Sequence, residues 1–207
     1  MATSCRRRVV PEPLQNPTME HADYYAYLRS RSRLGDFYRR FWLYPRLSRH
    51  LQGHVLDVGC GIGDMLAFRP DTVGVDINPH TVAYVRSRGL EAHVMVEGRL
   101  PFGDASFDGV VLDNVLEHIA DPQPLLGEVR RVLRPGGAFL VGVPGRKGYA
   151  SDPDHKVFYD RPLLKSRLEG AGFVVRSFFC MPIPLAMLDT RVSQYCLYGV
   201  FHAPRGA

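Results

Sequence analysis

The chain lacks long apolar runs, although 45% of its 207 residues are hydrophobic. A helix that spans a bilayer needs about 20 consecutive apolar residues, so no membrane span is predicted. Cysteine is also scarce, and the four cysteines show no C-x-x-C pair or other metal-ligand spacing. This excludes a zinc-ribbon or disulfide-rich framework and indicates reduced thiols. No apolar stretch follows the basic residues near the N-terminus, so no secretory signal is predicted and the expected location is cytoplasmic.

Lysine is nearly absent, since only Lys147, Lys156 and Lys165 occur, whereas arginine is abundant. The first fifty residues hold ten arginines and four acids within a chain of net charge +5. A basic surface attracts nucleic acid, phosphate-bearing substrates or membrane headgroups, so peripheral contact with an anionic surface through this N-terminal part is one interpretation. A solvated helix face is the simpler alternative.

Length and apolar content predict one folded domain. Residues 1–18 are polar and rich in proline, which predicts a flexible arm ahead of a single domain over 19–207. Apolar residues recur at three- and four-residue steps over 19–51, which predicts a helical cover made of two helices. Gly35 and Asp36 are expected to divide these helices, with Asp36 as N-cap, and Pro45 to bend or end the second. Residues 52–207 form the remaining core.

Short apolar runs alternate with helical patterns along this core. The predicted strands are 54–58, 72–76, 91–96, 107–113, 138–143, 173–179 and 194–201, and the predicted helices are 64–68, 79–88, 121–133 and 161–170. A turn is expected at 134–137, a long loop at 144–160 and a lid over the cleft at 181–187. This alternation is typical of a parallel α/β sheet.

The first strand leads into three glycines at every second position. They are Gly59, Gly61 and Gly63. Glycine permits a sharp turn and lets a ligand approach the main chain, because it has no Cβ. A strand, a glycine turn and a helix N-terminus form a nucleotide-binding corner. Asp57 inside the strand suits a cationic or amine-bearing ligand, and Asp76 at the end of the next strand can accept both ribose hydroxyls of a nucleoside.

Four motifs occur in a fixed order along the chain. They are VLDVGCGIG (55–63), GVDIN (74–78), LPFGDASFDGVVLDNVLEHIADP (100–122) and LRPGGAFLVGVP (133–144). Together they resemble class I S-adenosylmethionine-dependent methyltransferases of the small-molecule "type 11" group. The resemblance implies an α/β, Rossmann-like, mostly parallel sheet of seven strands, with helices on both faces and N-terminal helices over the cleft. It also implies an enzyme that uses S-adenosylmethionine and releases S-adenosylhomocysteine.

The resemblance also implies a set of cofactor-binding residues. They are Asp57, Gly59, Cys60, Gly61, Gly63, Asp76, Ile77, Glu97, Gly98, Asp113 and Asn114. Glu97 stands where similar enzymes carry an Asp that accepts from the adenine amino group; alternatively, the backbone near Val96 and Arg99 holds the ring alone. Asp113 and Asn114 follow the fourth strand and are expected at the methionine end of the cofactor.

A methyl acceptor that is a hydroxyl must also lose its proton to a base. His155 in the 144–160 loop is the first candidate, with Asp152 or Asp154 to orient it, and His118 is the alternative. Aromatic residues of the N-terminal helices are candidates for the acceptor wall: Tyr24, Tyr25, Tyr27, Phe37, Tyr38 and Trp42. No metal site is predicted, because resembling ubiquinone-pathway O-methyltransferases use a Glu-x-x-Glu-His cluster and Asn114 replaces its first Glu here.

Three functions remain open from the sequence. The first is methyl transfer to an oxygen, less readily a nitrogen, of a small molecule or of a glycan- or lipid-linked precursor. The second is a nucleic-acid methyltransferase, which the arginines favour, whereas the absence of an N/D-P-P-Y/F motif and of a separate recognition domain opposes it. The third is a module that binds the cofactor without catalysis.

Overall fold

The computed structural model describes residues 32–205. Seven strands form one sheet: β1 (Val55–Val58), β2 (Thr72–Asp76), β3 (Ala92–Val94), β4 (Phe107–Asp113), β5 (Leu133–Pro144), β6 (Val174–Met181) and β7 (Cys196–His202). Their spatial order is β3-β2-β1-β4-β5-β7-β6. Neighbouring strands are parallel except at β7, which is antiparallel to β5 and β6. The predicted mostly parallel, Rossmann-like sheet is confirmed.

Short helices connect the strands. They are α1 (Arg33–Tyr38), a π-helical segment (Arg39–Leu43), α2 (Tyr44–Ser48), α3 (Asp64–Phe68), α4 (Pro79–Ser87), α5 (Gln123–Val132), α6 (Arg146–Ala150) and α7 (Arg161–Gly170), with 3-10 turns at Leu116–His118 and Ala186–Leu188. Asp160 caps α7 by accepting from Leu163 N at 2.9 Å. Within residues 32–205, no helix has the length and apolar character needed to cross a bilayer.

The core lies on both faces of the sheet, because successive strand residues point to opposite sides. On one face Leu56 of β1 belongs to a buried cluster with Val129 of α5 and Leu164 of α7. On the other face Val55 belongs to a cluster with Leu47 of α2. Covering both faces explains why β1 and β2 consist entirely of buried residues.

The strand order reverses between β1 and β4, and this defines where a ligand can bind. β1 leads to β2 on one side and lies beside β4 on the other, so the loops after β1 and β4 leave the sheet in opposite directions. In open parallel sheets the crevice beyond the carboxyl ends of such strands is the ligand site. Here that crevice receives the glycine turn after Val58 and the segment that follows Asp113.

The N-terminal helices differ from their prediction. Gly35 and Asp36 lie inside α1 instead of dividing two helices, because the Ser32 side chain accepts from Gly35 N at 3.2 Å and starts the helix there. Asp36 pairs with Arg39 one turn later. Pro45 lies in the first turn of α2, where a missing N–H is tolerated, and the helix changes type just before it.

The turn predicted at 134–137 is wrong. These residues belong to β5, which begins as soon as α5 ends. Gly136 has a φ of +76°, and a Cβ on Gly137 would lie 2.9 Å from the Arg134 carbonyl oxygen. The pairing of β4 with β5 shifts register between Phe107 and Gly109. The glycines therefore form an irregularity within a strand rather than a connection before it.

The C-terminal part also contains more regular structure than predicted. The loop predicted at 144–160 includes α6, and the expected lid at 181–187 contains the 3-10 turn Ala186–Leu188. Trp42 donates from Nε1 to the Pro182 carbonyl oxygen at 2.9 Å, which joins this segment to the N-terminal helices. The predicted arm at 1–18, the helix predicted from 19 onward and the wall candidates Tyr24, Tyr25 and Tyr27 lie outside the described residues.

Candidate active site

The glycine turn after β1 has a backbone that only glycine adopts readily. Gly59, Gly61 and Gly63 have φ values of +76°, +51° and +77°. A Cβ on Gly59 would lie 2.4 Å from Val115 Cγ2, so the turn packs directly against the segment after β4. Cys60, between the first two glycines, is buried and donates its backbone N–H to the Val75 carbonyl oxygen at 3.0 Å. The turn is thus fixed to the carboxyl end of β2.

Asp76 at the end of β2 holds the same turn from the other side. One carboxylate oxygen accepts from Gly61 N and the other from Asn78 N, both at 2.8 Å. The side chain is buried, whereas Ile77 beside it is 53% exposed at the rim of the crevice. Asp76 therefore lies where the sequence expects a ribose acceptor, and its role toward the cofactor stays a prediction.

Removing the charge of Asp76 tests that role. We expect Asp76→Asn to weaken S-adenosylhomocysteine binding about 10- to 100-fold, because a hydrogen bond to a charged group contributes about 1.5–3 kcal/mol. Isothermal titration calorimetry measures the affinity. Asp71→Asn, just before the opposite end of β2, is the matched control and should bind normally. Equal affinity of the two variants would remove Asp76 from the ribose site.

Four carboxylates surround the crevice: Asp57, Asp64, Asp76 and Asp113. Burial and then the negative charges of Asp113, Asp76 and Asp64 together raise the pKa of Asp57 to about 8. Such a concentration of acids disfavours an anionic ligand and favours a cationic one. S-adenosylmethionine carries two positive groups, a sulfonium and an ammonium, so these residues fit that cofactor.

Asp113 and Asn114 form the floor of the crevice beyond β4. Asp113 accepts from the Tyr198 hydroxyl at 2.9 Å. Asn114 has a φ of +55° and donates its backbone N–H to the Gly142 carbonyl oxygen at 2.9 Å. Tyr38 is half-buried and packs against the buried cluster that contains Cys196 and Tyr198, and burial, followed by the nearby Cys196 and Asp113, raises its pKa. Of the described wall candidates, Tyr38 therefore lies nearest the predicted methionine end.

The other two described wall candidates point elsewhere. Phe37 is 62% exposed and packs on Phe41 with 4.6 Å between ring centroids. Trp42 is 42% exposed and is held by Pro182 and by the Arg46 guanidinium, 3.4 Å from its ring centroid. These aromatic rings lie on the outer side of the helical cover.

Glu97 and Gly98, the predicted adenine contacts, lie in a tight turn after β3. Arg99 donates its backbone N–H to the Val96 carbonyl oxygen at 3.0 Å, and Gly98 has a φ of +73°. The Glu97 side chain is exposed. Its contact with an adenine ring stays a prediction.

The structure brings both candidate bases together with Glu117, an acid that was considered from the sequence only within the Glu-x-x-Glu-His comparison and was not named as a site residue. The His118 and His155 rings lie with centroids 4.6 Å apart. His155 is 8% exposed, and its Nε2 lies 3.8 Å from Glu117 Oε1 and 3.9 Å from Asp152 Oδ2. Its Nδ1 is 2.8 Å from the Tyr149 carbonyl oxygen, so that backbone group, rather than a neighbouring acid, orients the ring. We call Glu117, His118 and His155 the Glu-His-His cluster.

Backbone hydrogen bonds explain why the 144–160 segment reaches this cluster. Lys156 N and Val157 N both donate to the Glu117 carbonyl oxygen, at 2.7 and 3.1 Å. Asp154, the other predicted orienting acid, donates its N–H to Asp152 Oδ1 at 2.9 Å. The sequence signal for Glu117 was its place beside His118, directly after the end of a buried strand.

Burial dominates the electrostatics of the cluster. Burial, followed by the negative charges of Asp113 and Asp152, raises the pKa of Glu117 to about 8. Burial lowers the pKa of His118, and His155 lowers it further. Glu117 and His118 lie in the 3-10 turn that follows Asn114, so the cluster adjoins the crevice floor.

The architecture and this site define a class of protein: nucleotide-type binding domains with an acid-lined crevice at a parallel sheet edge. The family described as "Methyltransferase domain" matches residues 56–141. A Mycolicibacterium smegmatis protein named as an S-adenosylmethionine-dependent methyltransferase is 38% identical over 152 residues, covering 67% of this chain and 59% of that protein. A Bos taurus protein named tRNA methyltransferase 9B is 30% identical over 150 residues, covering 66% of this chain and 33% of that protein.

A solved structure shares the fold. A chain from the complex between the Haloferax volcanii Trm112 methyltransferase activator and its methyltransferase superposes with a TM-score of 0.70 at 21% identity, covering 92% of this chain and 100% of that one. This chain belongs to the class I S-adenosylmethionine-dependent methyltransferases. It spans about 60% of the length of the first curated relatives that it matches.

Proposed function

We propose that this protein transfers a methyl group from S-adenosylmethionine to an oxygen of a small molecule or of a glycan- or lipid-linked precursor. The observation that supports this proposal is the Glu-His-His cluster beside Asp113. It supplies a buried imidazole with a defined orientation at the edge of the crevice. Transfer to oxygen needs such a proton acceptor, whereas transfer to an amine that is already neutral needs none.

The residues of the chain divide the work of the reaction. When bound, S-adenosylmethionine supplies a methyl group on a sulfonium that is already a good leaving group. Asp57 and Asp113 offset the positive charge of the ligand, and Asp76 holds the sugar. His155 Nε2 accepts the hydroxyl proton as the new carbon–oxygen bond forms, because its Nδ1–H is held by Tyr149. The products are the methyl ether, S-adenosylhomocysteine and a proton that His155 returns to solvent.

The N-terminal helices fit the role of a cover for this reaction. Tyr38 and Tyr44 extend from the α1–α2 segment toward acids of the crevice, since burial and the charge of Asp113 raise the pKa of both hydroxyls. Excluding water strengthens electrostatic interactions within a closed site. In this proposal residues 19–51 form the cover and 52–207 the cofactor-binding core.

Contact of the arginine-rich N-terminal part with anionic surfaces stays a prediction, and so does a cytoplasmic location.

Cofactor binding should depend on pH through Asp57. Its raised pKa means that below about pH 8 the free protein carries this carboxyl protonated, and a cationic ligand favours the ionised form. Binding near pH 7 should therefore release a proton, and affinity should rise between pH 6 and 8 before levelling off. Calorimetry of S-adenosylhomocysteine in buffers of different ionisation enthalpy measures both effects. Asp57→Asn should abolish the pH dependence; an affinity that falls over this range would contradict the assignment.

The proposed reaction is tested with S-adenosylmethionine labelled in its methyl group. The protein is incubated with separate panels of hydroxylated small molecules, glycan or lipid-linked precursors, amines and total tRNA, and each product is analysed by mass spectrometry. We expect the label in a methyl ether of a hydroxylated acceptor. Label on nitrogen alone would overturn the choice of oxygen. Binding of S-adenosylhomocysteine without any transfer would support the module without catalysis.

A second candidate function is nucleic-acid methylation. The similarity to the protein named tRNA methyltransferase 9B favours it, as does the concentration of arginines before residue 50. The tRNA arm of the same assay separates the two functions. Incorporation into tRNA that exceeds incorporation into every small molecule, and that weakens steeply with added salt, would favour this second function.

A further inference from the structure

The Glu-His-His cluster has the composition of a metal-binding site as well as that of a base. Each member offers one ligand atom, and these atoms all lie within 4.8 Å of one another. Glu117 and His118 come from the 3-10 turn after β4, whereas His155 comes from the segment after α6. Asn114, whose identity argued against a metal in the sequence, is not a member. The third ligand comes instead from a distant part of the chain.

The buried and unpartnered carboxylate of Glu117 is the observation that points to a ligand. Its side chain is 1% exposed, and neither carboxylate oxygen has a hydrogen-bond partner among the described residues. Burying a carboxylate without a partner is costly, so a native protein normally supplies a compensating group. The charges that act on it most strongly are two further acids, Asp113 and Asp152. A bound cation would therefore compensate the Glu117 carboxylate.

His155 is already oriented as a metal ligand. A histidine that binds a metal through one ring nitrogen usually donates the other N–H to a carbonyl or carboxylate. His155 Nδ1 lies 2.8 Å from the Tyr149 carbonyl oxygen, which leaves Nε2 facing Glu117. The His118 ring lies beside it, with 4.6 Å between the ring centroids. Asp152 Oδ2, 3.9 Å from His155 Nε2, lies beside the cluster and is not a member of it.

We propose that Glu117, His118 and His155 bind one divalent transition-metal ion. Two imidazoles and a carboxylate suit Mn²⁺, Fe²⁺ or Zn²⁺ better than Mg²⁺, which prefers oxygen ligands. Ligand bonds of about 2.0–2.2 Å require the three ligand atoms to close by about 1 Å, which side-chain rotation can supply. A coordination position left open toward the crevice would take an oxygen of the acceptor.

The metal would change how the acceptor loses its proton, and this part rests on the proposed function. A cation bound to a hydroxyl lowers the pKa of that hydroxyl, so the oxygen can react without an imidazole as base. His155 then acts as a ligand, and the proton passes to the partly exposed Asp152 and from there to solvent. Favoured acceptors are those whose hydroxyl, alone or with a neighbouring oxygen, coordinates a metal.

Metal binding is tested on the full chain after removal of metal with a chelator. We expect calorimetry with Mn²⁺ and with Zn²⁺ to give one site, and Mg²⁺ to bind more weakly. Glu117→Gln and His155→Gln should weaken metal binding by about 100-fold or more. Losing only a group that hydrogen-bonds to a metal ligand already costs about 10- to 100-fold in affinity. His93→Gln is the matched control, because His93 pairs with Glu91 at 3.1 Å on the surface and should leave binding unchanged.

We expect Glu117→Gln to fold, because the substitution removes a buried acid without a hydrogen-bond partner and keeps the size of the side chain. Its thermal melting temperature should equal or exceed that of the parent, while added Mn²⁺ should raise the melting temperature of the parent alone. Equal metal affinity of parent and Glu117→Gln, or no binding by the parent, would overturn the metal site. Transfer that continues in chelator would leave His155 as the base, whereas metal binding without transfer would overturn only the proposed function.

Discussion

Gly61→Val should abolish cofactor binding, with S-adenosylhomocysteine affinity falling more than about 100-fold. Gly61 has a φ of +51°, a conformation that a β-branched residue adopts only with strain. Its N–H donates to Asp76 Oδ2 at 2.8 Å, so distortion here also displaces the predicted ribose acceptor. In addition, the valine methyl groups would occupy the space through which a ligand approaches the main chain. Calorimetry and equilibrium dialysis measure the loss.

The control for this prediction is Gly127→Val in α5. A Cβ at that position meets no atom within 4 Å, and φ there is not positive. The control should keep its cofactor affinity and melting temperature. If Gly61→Val remained folded by circular dichroism and bound the cofactor as the control does, the glycine turn would not be the cofactor site.

The order of elements could be predicted from the sequence because it depends on local patterns. The strand ending at Val58, the acid at Asp76 and the helix that closes at Gly89 are each defined by residues within a few positions. Gly89 has the expected positive φ of +74°. The seven-stranded, mostly parallel sheet followed from the resemblance to a family, since no local pattern distinguishes the antiparallel last strand from a parallel neighbour.

The incorrect predictions came from residues whose own preference is outweighed by strand pairing or by a capping neighbour. The Pro-Gly-Gly sequence at 135–137 is typical of a turn, yet β5 pairs with β4 on both sides of it, at Leu133 and again from Ala138, where pairing with β7 also begins. Gly35 and Asp36 likewise favour a helix boundary, but Ser32 starts the helix earlier. Backbone pairing and capping by a neighbour decide these positions, and neither can be read from the residues themselves.

The acceptor side could be predicted only in part. His118 and His155 were chosen for their chemistry, but the sequence does not show that residues 37 positions apart share one cluster. The two hydrogen bonds from Lys156 N and Val157 N to the Glu117 carbonyl oxygen bring them together. Since these bonds involve only backbone atoms, no side-chain motif records them. Glu117 was set aside as a metal ligand because Asn114 replaces the first Glu of the compared motif, and its burial cannot be predicted from the sequence.

His155→Ala should reduce methyl transfer by about 10²- to 10⁴-fold, the usual contribution of a positioned base, while cofactor affinity stays unchanged. The imidazole is 8% exposed and its Nε2 faces Glu117. The predicted cofactor residues of the glycine turn and Asp76 lie instead at the ends of β1 and β2. The same loss is expected if His155 binds a metal. Single-turnover rates with labelled cofactor measure transfer, and calorimetry of S-adenosylhomocysteine measures binding.

The pH profile distinguishes a role in proton transfer from a structural one. A reaction that uses a general base makes kcat rise with pH in the parent, and the variant should lose this dependence. His54→Ala is the control, because His54 is exposed just before β1 at the opposite edge of the sheet and stacks on Phe107. It should keep both the rate and the profile. A His155→Ala enzyme with the rate and pH dependence of that control would exclude His155 from the reaction, and the crevice beyond Asp113 would need another proton acceptor.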